Sequence, residues 1–194
     1  MNAASTNPSL AFTRSLQASS LGVKALAVLL GSAFIAAAAQ VTVPMYPVPM
    51  TMQTFAVLLV GSLYGGRLAA ATLAVYLLEG ALGLPVFANA GSIATLMVKP
   101  LSAGYLIGFF AAATLAGWLA DRGAFRTLAG TVGTFAAASM VVYLFGLPWL
   151  AAGIGVEKAI AFGLLPFILG DVLKATLAAS VRALVGRVSV GRKA

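Results

Sequence analysis

Cysteine and histidine are both absent from the 194-residue chain. Without cysteine there is no disulfide and no thiolate nucleophile, and cysteine usage carries no information about compartment. Without histidine the commonest metal ligand and the commonest general base are missing, and no Ser-His dyad can be assembled. Charge is scarce too, at 8% of residues, and no Gly-Lys dipeptide occurs, which excludes a P-loop and ATP hydrolysis through it. These absences argue against an enzyme: no catalytic residue, metal site or cofactor is expected.

What the chain has in abundance is apolar surface. Hydrophobic residues make up 61% of it and the mean hydropathy is +1.04, well outside the range of soluble domains. This composition predicts an all-α integral membrane protein. At ~20 residues per span, the length accommodates one domain of about six transmembrane helices. Residues 1–23 read as a polar N-terminal tail, 24–187 as the six-helix membrane domain and 188–194 as a basic C-terminal tail. The first stretch is rich in Ser, Asn and Thr and carries only Arg14. It lacks the basic start, apolar centre and cleavage site of a signal peptide, so the first apolar run is expected to stay in place as a span.

The spans are punctuated by proline and glycine. Lys24 to Gln40 is the first, stopped by Val41-Thr-Val-Pro-Met-Tyr-Pro-Val-Pro49, whose three prolines in six residues enforce an extended loop. Thr51 is the expected N-cap of span two, and Gly65-Gly66-Arg67 its closing turn. Span three runs from Leu68 to about Leu82. The segment from Gly83 to Pro100 is too broken to span and too apolar for a free loop, so it is expected to fold back over the end of the bundle. Span four covers Ser102 to Leu119 and span five about Thr127 to Phe145. Residues 146–165 read as a loop with a short interfacial helix, and span six opens at Pro166 and ends near Arg182.

A net charge of +8 would suggest nucleic acid in a soluble protein, but in a membrane protein the placement of charge matters more than its sum. With six spans, Arg14, Lys24, Arg67, Arg122, Arg126, Arg182, Arg187, Arg192 and Lys193 fall on one side, and only Lys99 and Lys158 on the other. The positive-inside rule then makes both termini cytoplasmic. The three elaborate linkers lie outside, where a ligand site is expected; nucleic acid is not an expected partner, the lipid bilayer is.

Asp171 and Lys174 stand in an otherwise apolar run, Pro166-Phe-Ile-Leu-Gly-Asp-Val-Leu-Lys174. An ionised side chain in hydrocarbon costs at least ~2.5–3.5 kcal/mol, so such residues face a cavity or a partner. Three positions apart, they share one helical face. Two readings stand: a pair that neutralises itself when a pocket is empty and holds a small amphipathic anion when it is full, or an ion pair that only locks helices together.

Four segments taken together resemble the BioY family, the biotin-specific substrate-capture (S) components of energy-coupling-factor (ECF) vitamin transporters. They are Val48-Pro-Met-Thr-Met-Gln-Thr54 entering span two, Gly83-Leu-Pro-Val-Phe-Ala88 leaving span three, Lys99-Pro-Leu-Ser-Ala-Gly-Tyr-Leu-Ile-Gly108 entering span four, and Pro166 to Lys174 opening span six. The resemblance covers nearly the whole chain after about residue 24. It implies the six-helix S-component fold in the bacterial inner (plasma) membrane, binding of biotin near the external face, and assembly with a membrane coupling (T) component and a pair of ABC-type ATPases. Homo-oligomerisation and uptake without the ATPases both stay open.

Biotin presents a ureido ring with two N–H donors and a carbonyl, an apolar thioether ring, and a valerate carboxylate. Asp171 is the expected acceptor of a ureido N–H, with Lys174 balancing it and reaching toward the carboxylate. Asn89 resembles the family's ureido-binding amide; by residue preference alone it is a turn residue. Gln53 lines the cavity or bonds to a neighbouring helix. Tyr105 walls the pocket or belongs to the interfacial aromatic belt. Lys99 attracts the carboxylate or is a solvated loop lysine. Glu79 departs from the family pattern and is expected to reach the interface.

On span one, Ala33, Ala37, Ser32 and Ala36 form small-xxx-small pairs that let helices approach closely. In S components such a face resembles the docking surface for the coupling protein; internal packing is the other reading. Gly61/Gly65 and Gly104/Gly108 read as internal packing. Two rival functions remain: an S component for another vitamin, and a proton-linked or facilitative secondary transporter of a small carboxylate.

Overall fold

The computed structural model describes residues 8–191. Nine α-helices follow one another within them: α1 (Pro8–Gln17), α2 (Leu21–Gln40), α3 (Gln53–Tyr64), α4 (Gly66–Ala81), α5 (Ile93–Val98), α6 (Ala103–Asp121), α7 (Leu128–Ile154), α8 (Val156–Gly163) and α9 (Leu165–Gly191). Four segments, Leu21–Gln40, Pro100–Asp121, Leu128–Ile154 and Val156–Gly186, are long and apolar enough to cross a membrane. The remaining two expected spans correspond to α3 and α4, with 12 and 16 residues. At ~1.5 Å per residue they are roughly 18 and 24 Å long, shorter than a ~30 Å hydrocarbon core.

Small residues decide where the helices meet. The helix α6 is the hub, packed on α7, α3 and α4, and its buried positions include Gly104, Gly108, Ala112, Ala113, Ala116 and Gly117. A Cβ at Gly108 would lie 2.8 Å from the Val142 carbonyl oxygen of α7, and one at Gly61 of α3 would lie 2.8 Å from the Ala113 carbonyl oxygen of α6. Backbones approach this closely only without side chains between them, so both glycine pairs serve internal packing as expected. Between α3 and α4, Gly65 takes φ of 80°, a left-handed conformation that favours glycine and lets the chain reverse within one residue.

At the end of the bundle where α3 begins, the proline-rich segment closes on itself. Strands β1 (Thr42–Val43) and β2 (Met50–Thr51) pair antiparallel, Thr42 opposite Thr51 and Val43 opposite Met50. The 83–100 linker folds back as expected, through a 3₁₀ turn at Ala88–Ala90 and the helix α5. The N-cap of α3 is Met52 and not Thr51 as expected, because Thr51 is held in β2; its hydroxyl still accepts from the Gln53 N–H at 3.1 Å.

Three boundaries differ from the sequence expectations. Part of the N-terminal stretch read as a polar tail is the helix α1, which packs on α9; its Thr13 is buried and Gln17 donates to Asp121 Oδ1 at 2.8 Å and to the Tyr64 carbonyl. Residues 146–154 are not a loop: α7 continues through Pro148 to Ile154. Proline removes one helical N–H, but neighbouring helices support such interruptions in membrane proteins. Here the Tyr105 ring fills the space beside Gly146, and Trp149 Nε1 donates to the Pro100 carbonyl at 2.8 Å. Finally, α9 does not end near Arg182 but continues to Gly191, four residues into the stretch read as a C-terminal tail. Arg182 is buried, donates to the Ser62 carbonyl of α3 and stacks 4.1 Å over the Phe125 ring, so it anchors α9 rather than ending it.

Candidate functional site

A cavity of about 730 Å³ lies between the hairpin loop, the 87–102 segment, the adjoining ends of α3, α6 and α9 and the middle of α7. That volume is within the ~300–1,000 Å³ usual for small-molecule sites. All six residues singled out for binding line it: Asp171, Lys174, Asn89, Gln53, Tyr105 and Lys99. They differ in what each has left to offer.

Asp171 and Lys174 are 9% and 6% exposed, and Lys174 Nζ lies 3.1 Å from Asp171 Oδ1. The second carboxylate oxygen accepts a hydrogen bond from the Tyr143 hydroxyl of α7. The charge in α9 is thus held from two sides, by its own helix and by α7. Each carboxylate oxygen still has a further lone pair, and Lys174 further N–H groups, for a ligand. The sequence reading did not single out Tyr143; a hydroxyl within an apolar span, which needs a partner when buried, was the available signal.

Gln53 is 3% exposed and donates through Nε2 to the Tyr76 hydroxyl at 2.8 Å, which in turn donates to the Val86 carbonyl at 3.1 Å. Both readings of Gln53 therefore hold at once: it lines the cavity and ties α3 to α4 and the following linker. Tyr105 gives its hydroxyl to the Gly163 carbonyl of α8 at 2.9 Å, leaving its ring as wall. Asn89 and Lys99 are exposed on the linker side. Asn89 has φ of 56°, and its Oδ1 accepts from the Thr42 hydroxyl at 3.3 Å. Between these polar groups the walls are apolar, from Phe87, Leu106, Phe109, Val142 and Phe167.

Such a cavity can enclose a flat apolar body, hydrogen-bond a polar head through carboxylate and amide, and neutralise an anion with an ammonium group. Among the described residues no group of acidic side chains could hold a metal ion.

The four small residues of α2 do not share one environment. Ala33 and Ala37 are exposed, beside exposed Leu26, Leu29, Leu30 and Phe34, and Ala36 is half-buried. Ser32 is fully buried and donates to Glu79 Oε2 of α4, so it faces the bundle and not an outer surface. The same bond corrects the expectation for Glu79, whose carboxylate is partly buried between α2 and α4 instead of reaching the interface.

Comparison with known proteins gives a consistent result. The BioY family model matches residues 12–189. A relative from Pyrococcus horikoshii described as a probable biotin transporter BioY is 40% identical over 141 residues, 72% of this chain and 82% of the relative. The biotin transporter BioY of Thermotoga maritima is 33% identical over 162 residues, 83% of this chain and 94% of the other. Among solved structures, the S-component for biotin from an ECF-type ABC transporter superposes with a TM-score of 0.68 over 91% of this chain and 96% of that one, at 24% identity, which establishes a shared fold.

Proposed function

The chain belongs to the BioY family, and from that premise we propose that it is the biotin-capturing S subunit of an ECF-type transporter, a transport protein and not an enzyme. The observation that carries the proposal is the buried Asp171–Lys174–Tyr143 constellation opening on a cavity with apolar walls between its polar groups. Buried charges are costly and are kept where they serve a site.

Biotin complements this cavity group by group. Asp171 accepts a ureido N–H through a lone pair not used by Tyr143 or Lys174, and Asn89 supplies an amide that both donates and accepts. The phenylalanine walls and the Tyr105 ring enclose the thioether ring and valerate chain. Lys174 and Lys99 supply the positive charge for the carboxylate. The linkers close over the bound vitamin, and Gln53 fixes the seam between α3, α4 and the linker.

In this reading α3 and α4 complete a six-span topology, with both termini cytoplasmic and the cavity facing outward across the bacterial inner membrane. Ala33 and Ala37, exposed on α2, form the surface on which a coupling (T) component docks, and ABC-type ATPases drive reorientation of the subunit to release biotin inward.

The test is a biotin titration of the purified protein, with desthiobiotin and an unrelated vitamin as competitors. Tight binding displaced by desthiobiotin and not by the unrelated vitamin supports the assignment. A well-folded sample that binds no biotin overturns it, and selective binding of the other vitamin would make this an S component of different specificity.

A further inference from the structure

Asn89 suits the turn it sits in, but its neighbour Ala90 does not. Asn89 and Ala90 both have positive φ, 56° and 54°. Asparagine enters the left-handed region readily, but alanine seldom does, because its Cβ crowds the backbone. Two consecutive residues of this kind persist only where the surroundings hold them.

The hold comes from Gln40, the last residue of α2. Its Nε2 donates to the Phe87 carbonyl at 3.0 Å, and its Oε1 accepts from the Ala90 N–H at 2.8 Å. One side-chain amide therefore grips the turn on both sides of Asn89. The same Nε2 is also bonded to the Ala36 carbonyl one helical turn back, at 3.1 Å, which fixes the amide to its own helix. The base of the turn is closed by paired bonds between Phe87 and Gly91, of 2.8 and 3.2 Å, and anchored by the buried Phe87 ring against Tyr76. At the tip the Asn89 side chain accepts from the Thr42 hydroxyl, but the Ala90 backbone is held by Gln40, which does not itself line the cavity.

We propose that Gln40 is a positioning residue for ligand binding: it holds the Ala88–Gly91 turn in its left-handed conformation and so presents the Asn89 amide to the cavity. This rests on the biotin-binding reading of that cavity. Gln40 acts through Asn89, and its contribution to affinity therefore vanishes when Asn89 is gone.

The experiment is a double-mutant cycle on biotin affinity with the full chain: unmodified protein, Gln40→Ala, Asn89→Ala and the double variant. Loss of the two bonds to the turn is expected to weaken binding about tenfold in Gln40→Ala. The double variant is expected to bind no more weakly than Asn89→Ala alone, since coupled residues are non-additive. Ala90→Gly, which takes positive φ without a Cβ, is expected to restore affinity in the Gln40→Ala background, which would not happen if Gln40 served stability alone. Gln40→Glu keeps the acceptor for Ala90 and loses the donor to Phe87; it carries the same cycle if Gln40→Ala folds poorly.

Additive losses, or unchanged affinity in both Gln40 variants while Asn89→Ala binds weakly, overturn the inference and leave the functional reading standing. Unchanged affinity in Asn89→Ala removes Asn89 from the site and this inference with it. Absence of biotin binding by the unmodified protein overturns the functional reading first.

Discussion

Asp171 accepts from Lys174 and from Tyr143, so substituting it does two things at once. Asp171→Asn removes the charge-assisted acceptor for a ligand and strands a buried ammonium group. Breaking one side of a buried ion pair costs about 3–5 kcal/mol, whereas replacing both sides with apolar groups is often neutral. Asp171→Asn is therefore expected to abolish measurable biotin binding and lower the unfolding temperature. The double substitution Asp171→Leu, Lys174→Met is expected to recover the unfolding temperature without recovering binding. Recovery of binding in that double variant would remove the pair from the site. Tyr143→Phe deletes one hydrogen bond to a charged group, worth about 1.5–3 kcal/mol, and is expected to weaken biotin about tenfold or more in the same titration. Asp171 and Lys174 were legible in the sequence because a charge inside an apolar run is conspicuous. Tyr143 and Gln40 were not, because an aromatic residue in a span and an amide at a helix end are ordinary until tertiary structure supplies their partners.

At the scale of elements, α2 has two unlike faces, and the exposed one is the proposed docking surface. Gly31, Ser32, Ile35, Ala38 and Ala39 are buried, whereas Ala33 and Ala37 are exposed. Bulk at the exposed positions meets no neighbour within the fold and fills the gap a docking partner needs. Ala33→Trp with Ala37→Trp is expected to leave biotin affinity within about twofold and to abolish co-purification with the coupling component, small residues being what permits close helix approach. Intact co-purification would move the docking surface elsewhere. Gly108→Leu is the complementary case. Its side chain would drive into the α7 backbone at Val142, and overpacking of this kind costs about 1–3 kcal/mol, read as a lower unfolding temperature in detergent. Element boundaries were legible where local chemistry decides them, as at the 44–49 prolines and Gly65. They were not where packing overrides it: α7 passes through Pro148 because α6 supports it, and α1, a ten-residue helix too short to be stable alone, forms against α9.

Charge is placed asymmetrically along the axis of the bundle, and that asymmetry carries the proposed orientation. Asp121, Arg122 and Arg126 lie at the end of the bundle where α6 passes to α7, while Lys99 lines the cavity and Glu157 lies in α8, which follows the opposite end of α7. Under the positive-inside rule, a bias of basic residues toward the end away from the cavity is the ground for proposing that end as cytoplasmic and the cavity mouth as external. Residue counts along the sequence suffice for this step, since the rule depends on which linker each lysine or arginine falls in and not on tertiary detail. The absence of cysteine makes the orientation directly measurable, because any single introduced thiol reports alone. Glu157 in α8 and Arg126 before α7 are both exposed. Glu157→Cys is expected to react with a membrane-impermeant maleimide on intact cells, and Arg126→Cys only after permeabilisation. The opposite pattern would turn the cavity toward the cytoplasm, where it could not capture an external vitamin, and the capture mechanism would fall even if biotin bound tightly in detergent.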